Sequence, residues 1–166
     1  MPNTDGTILS RWHTTLENVI CSPLEFYESV MNSIEQKGIP NITFTNITRR
    51  EGGWFSSHSR IYLRIRQNRL FFDVCAFPVG TSFVVSSWLQ EDLPGAVDLL
   101  AEIPVLGYVL ENTLLANSFY TVDFVEYYQR SIHNSVLQII DDLTDDFELE
   151  RIPNEARQPI LTEFFR

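Results

Sequence analysis

A strict alternation of side chains is the sequence feature that most constrains the fold. Apolar and polar residues take turns along the run Arg60-Ile61-Tyr62-Leu63-Arg64-Ile65-Arg66. Successive side chains of a strand point to opposite faces of a sheet, so this run predicts a strand with one apolar face and one basic face. A helix would spread both kinds of residue around its circumference. The chain is therefore expected to build a sheet that carries arginine on one side.

A hairpin is expected directly after this strand. Gln67-Asn68 is suited to a two-residue turn, because asparagine tolerates a positive φ. With that turn Ile65 pairs with Leu70, and the apolar residues of both strands share one face. The opposite face then holds Arg64 and Asp73 as diagonal neighbours, close enough to form an ion pair. The hairpin thus predicts an internal partner for one of the arginines.

Two more runs complete the predicted sheet. Asn41–Arg49 is rich in Ile, Thr and Phe, which favour strands. Ser82–Leu89 is apolar on both faces, as in a strand that is central or covered by helices. Pro78-Val79-Gly80 supplies the turn before it. The expected sheet is an antiparallel meander of three to four strands from Asn41 to Leu89.

Helix signals flank the sheet on both sides. Ser22-Pro23-Leu24-Glu25 has the form of a capping box with proline at the first helical position, and Gly38 ends this helix. Apolar residues recur at helical spacing across residues 8–20, which predicts a short helix or an apolar arm. A long helix is expected from Thr121, with an apolar stripe that reaches Leu143.

The apolar stretch 93–115 predicts two short helices interrupted at Ile103–Gly107. The charges of Asp98, Glu102 and Glu111 within it exclude a transmembrane span. We expect this helical hairpin to cover the sheet, and a peripheral association with a membrane surface through the same residues is the alternative. The predicted class is α+β, with the meander flanked by the N-terminal helix, the short apolar hairpin and the long C-terminal helix.

Chain length and cysteine content indicate the number of domains and the cellular compartment. The 166 residues predict a single domain from residue 7 to residue 166, after a flexible tail at residues 1–6. A hydrophobic fraction of 44% supplies a core without the need for disulfides. Cys21 and Cys75 fit no disulfide framework, and the first residues do not have the form of a secretory signal. These features predict a cytoplasmic protein.

Charge is distributed unevenly along the chain. Residues 49–90 contain six arginines and two acidic residues, a net charge of +4, whereas residues 1–48 carry −3 and residues 91–166 carry −11. The net charge of −10 disfavours nucleic acid and anionic membranes as partners of the whole molecule. Any contact with an anion is therefore expected to be local to the basic face of the sheet.

This basic face is the first candidate site. Its candidate residues for binding an anionic partner are Arg60, Tyr62, Arg64 and Arg66. They would interleave guanidinium and aromatic groups, an arrangement suited to an anionic ligand or an acidic protein segment. The alternative is that the arginines pair with the acidic helices of the same chain. Both interpretations stay open at the level of the sequence.

The loop before the alternating strand is the second candidate site. Trp54 and His58, with Asp73 of the facing strand, would bind a phosphorylated or otherwise anionic small molecule, in an enzyme or in a binding protein. A Ser–His nucleophile at His58 is disfavoured, because sequence neighbours seldom have triad geometry and no G-x-S-x-G elbow is present. A deep pocket beside His58 would support this hypothesis.

The acidic run Asp141–Asp146 is the stretch that comes nearest to metal-ligand spacing. Its carboxylates include two pairs four residues apart, a spacing that can hold Mg²⁺. Four carboxylates at a helix end oppose the helix dipole, however, and are typical of a solvated terminus. No GxGxxG, Walker A, HExxH or EF-hand string is present. The sequence therefore predicts no metal and no cofactor.

Several segments together resemble a set of small uncharacterised bacterial proteins. The segments are Glu51–Gly53, Arg60–Arg66, Phe72–Ala76, Ser86–Leu89, Ile103–Gly107 and Pro159–Arg166. The resemblance covers most of the chain, and it implies no site residues because no activity is assigned to the set. Separately, the order of a helix, an antiparallel meander and further helices resembles the ubiquitin-conjugating-enzyme and RWD architecture. No Cys or His-Pro-Asn string follows the last strand, so this analogy implies no conjugating activity.

Together these observations predict a non-enzymatic interaction or adaptor module of the bacterial cytosol. It is expected to contact an anionic partner, in the first place a protein, through the basic face of its sheet. The sequence leaves the formation of homo-oligomers open.

Overall fold

The computed structural model describes residues 7–51, 58–91 and 119–161. In them lie six strands: β1 (Thr7–Leu16), β2 (Ile42–Glu51), β3 (His58–Gln67), β4 (Leu70–Val79), β5 (Ser82–Glu91) and β6 (Ile160–Leu161). The helices are α1 (Pro23–Glu35) and α2 (Phe119–Asp146), and a 3-10 turn follows at Asn154–Arg157. The predicted tail at residues 1–6 and the predicted apolar hairpin at residues 93–115 lie outside the described residues.

The strands form one antiparallel sheet with the order β2-β3-β4-β5-β1-β6. β2 to β5 are consecutive antiparallel neighbours, which confirms the α+β class and the antiparallel sheet. The described sheet has more strands than the three to four predicted, because β1 and β6 extend it beyond β5. β1 precedes α1 in the chain and pairs with β5, which makes β5 a central strand. The apolar character of β5 on both faces predicted this position. The two-residue β6 pairs with β1.

The prediction of a helix or an apolar arm at residues 8–20 is wrong for most of that segment, because Thr7–Leu16 is strand β1. Trp12 and Leu16 are buried, and both belong to the core that the sheet shares with the helices. A spacing of four residues places two side chains on one side of a helix and equally on one side of a strand. The periodicity therefore did not distinguish the two structures, and the threonines between these residues favour the strand.

The turn between β3 and β4 consists of Asn68-Arg69, one position later than the predicted turn. Asn68 has the expected positive φ, 54°. Gln67 stays in the strand because its buried side chain donates a hydrogen bond of 2.6 Å to the carbonyl of Pro40. The pairing moves by two residues, so that Ile65 faces Phe72. A shift by two leaves every side chain on its predicted face.

The turn between β4 and β5 is also later than predicted. β4 continues through Val79, and the turn lies at Gly80-Thr81. Gly80 has a φ of 60°, which glycine adopts without steric cost.

Both helices begin close to their predicted positions. α1 begins at Pro23, but the predicted capping box does not form, since the side chain of Ser22 makes no capping hydrogen bond. The carbonyl of Ser22 instead accepts a hydrogen bond of 3.0 Å from the amide of Phe26. α2 begins at Phe119, two residues before the predicted Thr121. For α1, the proline at the first helical position and not the side chain of Ser22 determines where the helix begins.

α1 and α2 pack against the same face of the sheet and share one apolar core with it. The fully buried strand residues of this core are Leu63, Ile65, Val74, Phe83 and Val85. The helix residues of this core with no exposed surface are Val30, Ile34, Tyr128, Ile132, Val136 and Ile140. Side chains alternate along each strand, so the arginines of β3 lie on the face away from both helices.

A tyrosine hydroxyl takes the place of a backbone hydrogen bond where β3 and β4 separate. The pairing of these strands ends at Tyr62 and Cys75. At the next position Tyr27 Oη accepts a hydrogen bond from the amide of Ala76 (2.8 Å) and donates one to the carbonyl of Ile61 (2.7 Å). Tyr27 and Ala76 are buried, so this amide would lack a partner without the hydroxyl. α1 is thereby tied to the sheet at one fixed position.

We expect Tyr27→Phe to lower the free energy of unfolding by about 1–3 kcal/mol, because it leaves a buried amide without an acceptor. Urea unfolding followed by tryptophan fluorescence measures this change. The control is Tyr127→Phe, which removes a hydroxyl from a ring that is 56% exposed and should leave the free energy of unfolding close to the wild-type value. Equal effects of the two substitutions would contradict the role given to the Tyr27 hydroxyl.

Candidate functional site

The face of the sheet away from the helices is built around one buried carboxylate. The side chain of Asp73, in β4, is 3% exposed. Arg64 donates two hydrogen bonds to it, from Nε to Oδ1 at 2.7 Å and from Nη2 to Oδ2 at 2.8 Å. Gln90 Nε2 donates a third at 3.1 Å, and Arg49 Nη2 lies 3.6 Å from Oδ2. The carboxylate therefore joins side chains from β2, β3 and β5 to β4.

The register of the hairpin brings Arg64 and Asp73 together. The two residues lie directly opposite each other on β3 and β4. The ion pair predicted from the sequence is therefore present, but as a directly opposed pair and not as a diagonal one. Two parallel N–H···O bonds from one guanidinium to one carboxylate are among the strongest side-chain contacts in proteins. Arg64 thus stabilises the sheet.

Two arginines of this face lie over aromatic rings of β4. Arg60 Cζ is 3.8 Å from the centroid of the Phe77 ring, and Arg64 Cζ is 4.2 Å from that of Phe71. A guanidinium over an aromatic face is attracted by the ring quadrupole, and the contact contributes about 0.5–2 kcal/mol. The rings thereby restrict the directions in which these two arginines point.

The rings of Tyr62, on β3, and Trp88, on β5, contact each other across β4. Their ring centroids are 6.0 Å apart with planes inclined at 44°. Tyr62 is 5% exposed, and Cys75 on β4 is 1% exposed. The Tyr62 ring also lies near Arg49, whose Cζ is 6.0 Å from the ring centroid. Tyr62 is therefore a packing residue of this face.

The structure places the four predicted anion-binding residues on one face, and they differ in what they contact. Arg66 is exposed, and its Nε donates a hydrogen bond of 3.1 Å to the carbonyl of Asn68. Arg60 is half-buried over its aromatic ring, whereas Arg64 is bound to Asp73. Arg49, Arg60, Arg64 and Arg66 together form one surface, the arginine face.

Arg49 is the member of this face that the sequence analysis did not assign. It lies on β2 directly opposite Arg60 of β3. Two directly opposed cations are unfavourable, and the carboxylate of Asp73 beside Arg49 reduces their repulsion. The signal in the sequence was the predicted strand Asn41–Arg49, but the pattern does not say with which strand or in which register it pairs.

The acidic run of α2 lies on the other side of the sheet from the arginine face. Arg157 donates two hydrogen bonds to Asp141, at 2.8 and 2.7 Å, and Arg151 pairs with Asp145. The partners of this run are therefore arginines of the segment that follows α2. Within the described ranges, no group of His, Cys, Asp and Glu side chains is arranged to hold a metal ion.

The second candidate site falls largely outside the described residues. Trp54 and the side chain of His58 belong to the part of the chain that is not described. The backbone of His58 begins β3, where it pairs with Glu51. Six positions separate His58 from Arg64, the residue opposite Asp73, which is about 20 Å along an extended strand. The site predicted from Trp54, His58 and Asp73 therefore stays a prediction.

A groove between α2 and the segment after it was missed by the sequence analysis. It has a volume of about 590 Å³, and its lining includes Gln129, His133, Asn134, Arg157 and Gln158. Trp12 Nε1 donates a hydrogen bond of 2.7 Å to the carbonyl of Ala156, which holds the segment after α2 against β1. These partners are more than 140 positions apart in the chain, so no local pattern could predict the groove.

His133 is the titratable residue of this groove. Its Nε2 donates a hydrogen bond of 2.7 Å to the carbonyl of Arg157, and its Nδ1 is buried without a partner among the described residues. Burial lowers the pKa of His133, and the hydrogen bond to Arg157 opposes this effect only in part. The buried imidazole is therefore stable in its neutral form.

Comparisons with known proteins give no identity: no family model, no curated protein and no solved structure matches this chain. Neither of the two described helices is long and apolar enough to cross a membrane. The resemblance to small bacterial proteins and the RWD analogy therefore stay predictions.

We expect Asp73→Asn to lower the free energy of unfolding by about 3 kcal/mol, because it removes the carboxylate charge that is paired with the largely buried guanidinium of Arg64. Chemical denaturation measures the change. The control is Asp145→Asn, which breaks the exposed pair with Arg151 and should leave stability close to the wild-type value. A variant at Asp73 as stable as the control would contradict the structural role of this carboxylate.

Stability should decrease as the pH falls from about 7 to 5, in part through His133. An imidazole in the unfolded chain takes up its proton near pH 6.5. The folded protein needs a lower pH, because burial lowers the pKa of His133. In this window the unfolded state binds more protons, so the free energy of unfolding falls with pH.

His133→Gln tests this contribution. The variant should lose less stability between pH 7.5 and pH 5.5 than the wild type, as measured by urea unfolding at both values. His13→Gln, at an exposed ring on β1, is the matched control and should keep the wild-type dependence. If His133→Gln kept the wild-type pH dependence of the free energy of unfolding, the titration of His133 would not contribute to it.

Proposed function

We propose that this protein is a non-enzymatic interaction module that docks an anionic partner, in the first place an acidic protein segment, on the arginine face. One observation carries the proposal: Arg60 and Arg64 are held over aromatic rings on the face of the sheet away from both described helices. An oriented guanidinium loses less conformational entropy on binding than a mobile one. The face is therefore prepared to bind carboxylate or phosphate groups.

The charge distribution supports the same partner chemistry. The chain carries −10 overall, while residues 49–90 carry +4. An acidic partner is repelled by most of the molecule and attracted by the arginine face, so the long-range field orients its approach. The interaction should consequently weaken as salt is added.

The contacts divide the arginines into two groups. Arg64 and Arg49 are bound to the buried carboxylate of Asp73, so they stabilise the sheet as well as charging its surface. Arg60 lies over the Phe77 ring, and Arg66 is exposed, with its Nε donating a hydrogen bond to the carbonyl of Asn68. We therefore assign the docking contacts first to Arg60 and Arg66.

The proposal places the module in the cytosol of a bacterium. Neither Cys21 nor Cys75 forms a disulfide, which suits a reducing compartment. The bacterial assignment rests on the resemblance of several segments to small bacterial proteins.

The double variant Arg60→Glu/Arg66→Glu should weaken the partner complex about tenfold or more, which corresponds to about 1.4 kcal/mol. The tagged wild type is used to isolate the partner from a bacterial lysate at low salt, and the partner is identified by mass spectrometry. Its affinity for each purified variant is then measured by titration calorimetry. Circular dichroism checks that the variants are folded.

The matched control is Arg130→Glu/Arg151→Glu. Both arginines are exposed, with side chains 75% and 58% accessible. Arg130 lies on α2, and Arg151 lies in the segment that follows α2. The control changes the net charge by the same amount without touching the arginine face. Equal weakening by both double variants would show an effect of net charge alone and would contradict the assignment.

Two other functions stay predictions. A site for a phosphorylated small molecule around His58 would be favoured if the wild type carries no partner at low or high salt. A peripheral membrane contact through residues 93–115 would be favoured if the protein sediments with liposomes. Neither outcome is expected under the proposal.

A further inference from the structure

The segment after α2, residues 149–161, lies against both α2 and β1 and is held there by a small set of contacts. Its carbonyls accept two hydrogen bonds of 2.7 Å, at Ala156 from Trp12 Nε1 and at Arg157 from His133 Nε2. Its last two residues form β6, which pairs with β1. None of its described side chains is buried. A segment with little buried surface opens at a lower free energy than the core of a protein.

The two hydrogen bonds come from side chains that contact each other. The rings of Trp12 and His133 are buried, with centroids 5.1 Å apart and planes inclined at 77°. Trp12 belongs to β1 and His133 to α2, and they bind the carbonyls of consecutive residues. Arg157 adds two hydrogen bonds to Asp141 of α2. The attachment of the segment therefore depends on one cluster of side chains.

The neutral imidazole of His133 suits this cluster, and the protonated imidazole does not. A carbonyl only accepts hydrogen bonds, so Nε2 carries the proton of the neutral ring and Nδ1 has none. Nδ1 is buried without a partner among the described residues. A proton there would create a buried charge and an unpaired donor, and both cost free energy. The closed arrangement therefore disfavours the protonated form.

The charged groups of α2 and of the segment do not compensate a protonated His133. Arg157 contributes a second positive charge, and Asp141 is bound to its guanidinium and not to the imidazole. On α2, Arg130 and Glu126 line the same groove as His133 and pair with each other. Burial, with a smaller contribution from the charge of Arg157, lowers the pKa of His133.

The neighbouring elements do not compensate the charge either. Among the described contacts, no carboxylate reaches the imidazole of His133 from β1 or from α1. The residue of β1 that faces the ring is Trp12, and its neighbours Arg11 and His13 lie on the other face of the strand. Lys37, which follows α1, is bound to a backbone carbonyl of α2 and adds a further cation.

We propose that residues 149–161 form a pH-sensitive clamp, which detaches from α2 and β1 when His133 is protonated, while both helices and β1 to β5 stay folded. Detachment gives the imidazolium access to water. In the open state the indole of Trp12 loses its acceptor, and β1 loses its pairing with β6. A fall in pH thus changes the surface beside β1 without unfolding the protein.

The direction of the effect follows from proton binding. An imidazole that is open to water takes up its proton near pH 6.5, and the closed clamp needs a lower pH because burial lowers the pKa of His133. In this window the open clamp binds more protons, so its population rises as the pH falls. Between pH 7.5 and pH 5.5 the ratio of open to closed clamp should rise by up to about tenfold.

Hydrogen exchange of the Trp12 indole, measured by NMR, tests the clamp, because its N–H is bonded to the carbonyl of Ala156. Rates at pH 7.5 and pH 5.5, corrected for the exchange of a free indole, give the ratio of open to closed clamp. The amide of Val74, buried in the middle of β4, reports the opening of the sheet in the same sample.

The Trp12 indole should open at least about tenfold more often than the Val74 amide at both pH values, and its opening should increase in acid. Equal opening of the two groups would mean that the segment is released only by global unfolding, and this would overturn the proposal. So would an indole that exchanges at the free rate at pH 7.5, because the segment would then not be held.

His133→Gln removes the titrating group and should keep the opening of the Trp12 indole nearly equal at both pH values. His13→Gln, at the exposed ring on β1, is the matched control and should keep the wild-type increase. If both variants showed the increase, the proton would bind elsewhere and the clamp would not depend on His133. Urea unfolding of His133→Gln counts the proton, whereas exchange shows which part of the fold opens to admit it.

A disulfide between β1 and β6 gives a second test, in which His133 is kept. Arg11 and Ile160 are exposed and directly opposed, so cysteines at these positions lie within disulfide range. In a Cys21→Ser background, the oxidised Arg11→Cys/Ile160→Cys variant should lose the acid-induced opening at Trp12, and reduction should restore it. An oxidised variant that opens in acid as the reduced one does would contradict the clamp.

Discussion

A carboxylate in the middle of a sheet is stable only when neighbouring groups compensate its charge, and the face away from the helices is arranged to meet that requirement at Asp73. Arg64, Arg49 and Gln90 reach it from three strands. A slip of one residue in β4 would turn Asp73 toward the apolar core that the helices cover. A slip of β4 would therefore lose the ion pair in addition to the apolar packing, and this further cost fixes the register of the strand.

The opposite face is fixed by hydroxyl groups. Tyr27 bridges β3 and β4 where their pairing ends, and Tyr128 Oη donates a hydrogen bond of 2.7 Å to the carbonyl of Ile65. One tyrosine comes from each helix, and both reach backbone groups of β3. These hydrogen bonds within an apolar core give each helix a specific position on the sheet. Purely hydrophobic contacts would not define that position.

The sequence predicted what alternation and turn chemistry control. The faces of β3 and β4, the start of α1 at Pro23 and the ion pair of Arg64 with Asp73 all follow from local patterns. Strand β1 was missed because the spacing of Trp12 and Leu16 suits a helix and a strand equally. Contacts between distant segments, such as that of Trp12 with Ala156, depend on the order of strands in the sheet. No local pattern encodes that order.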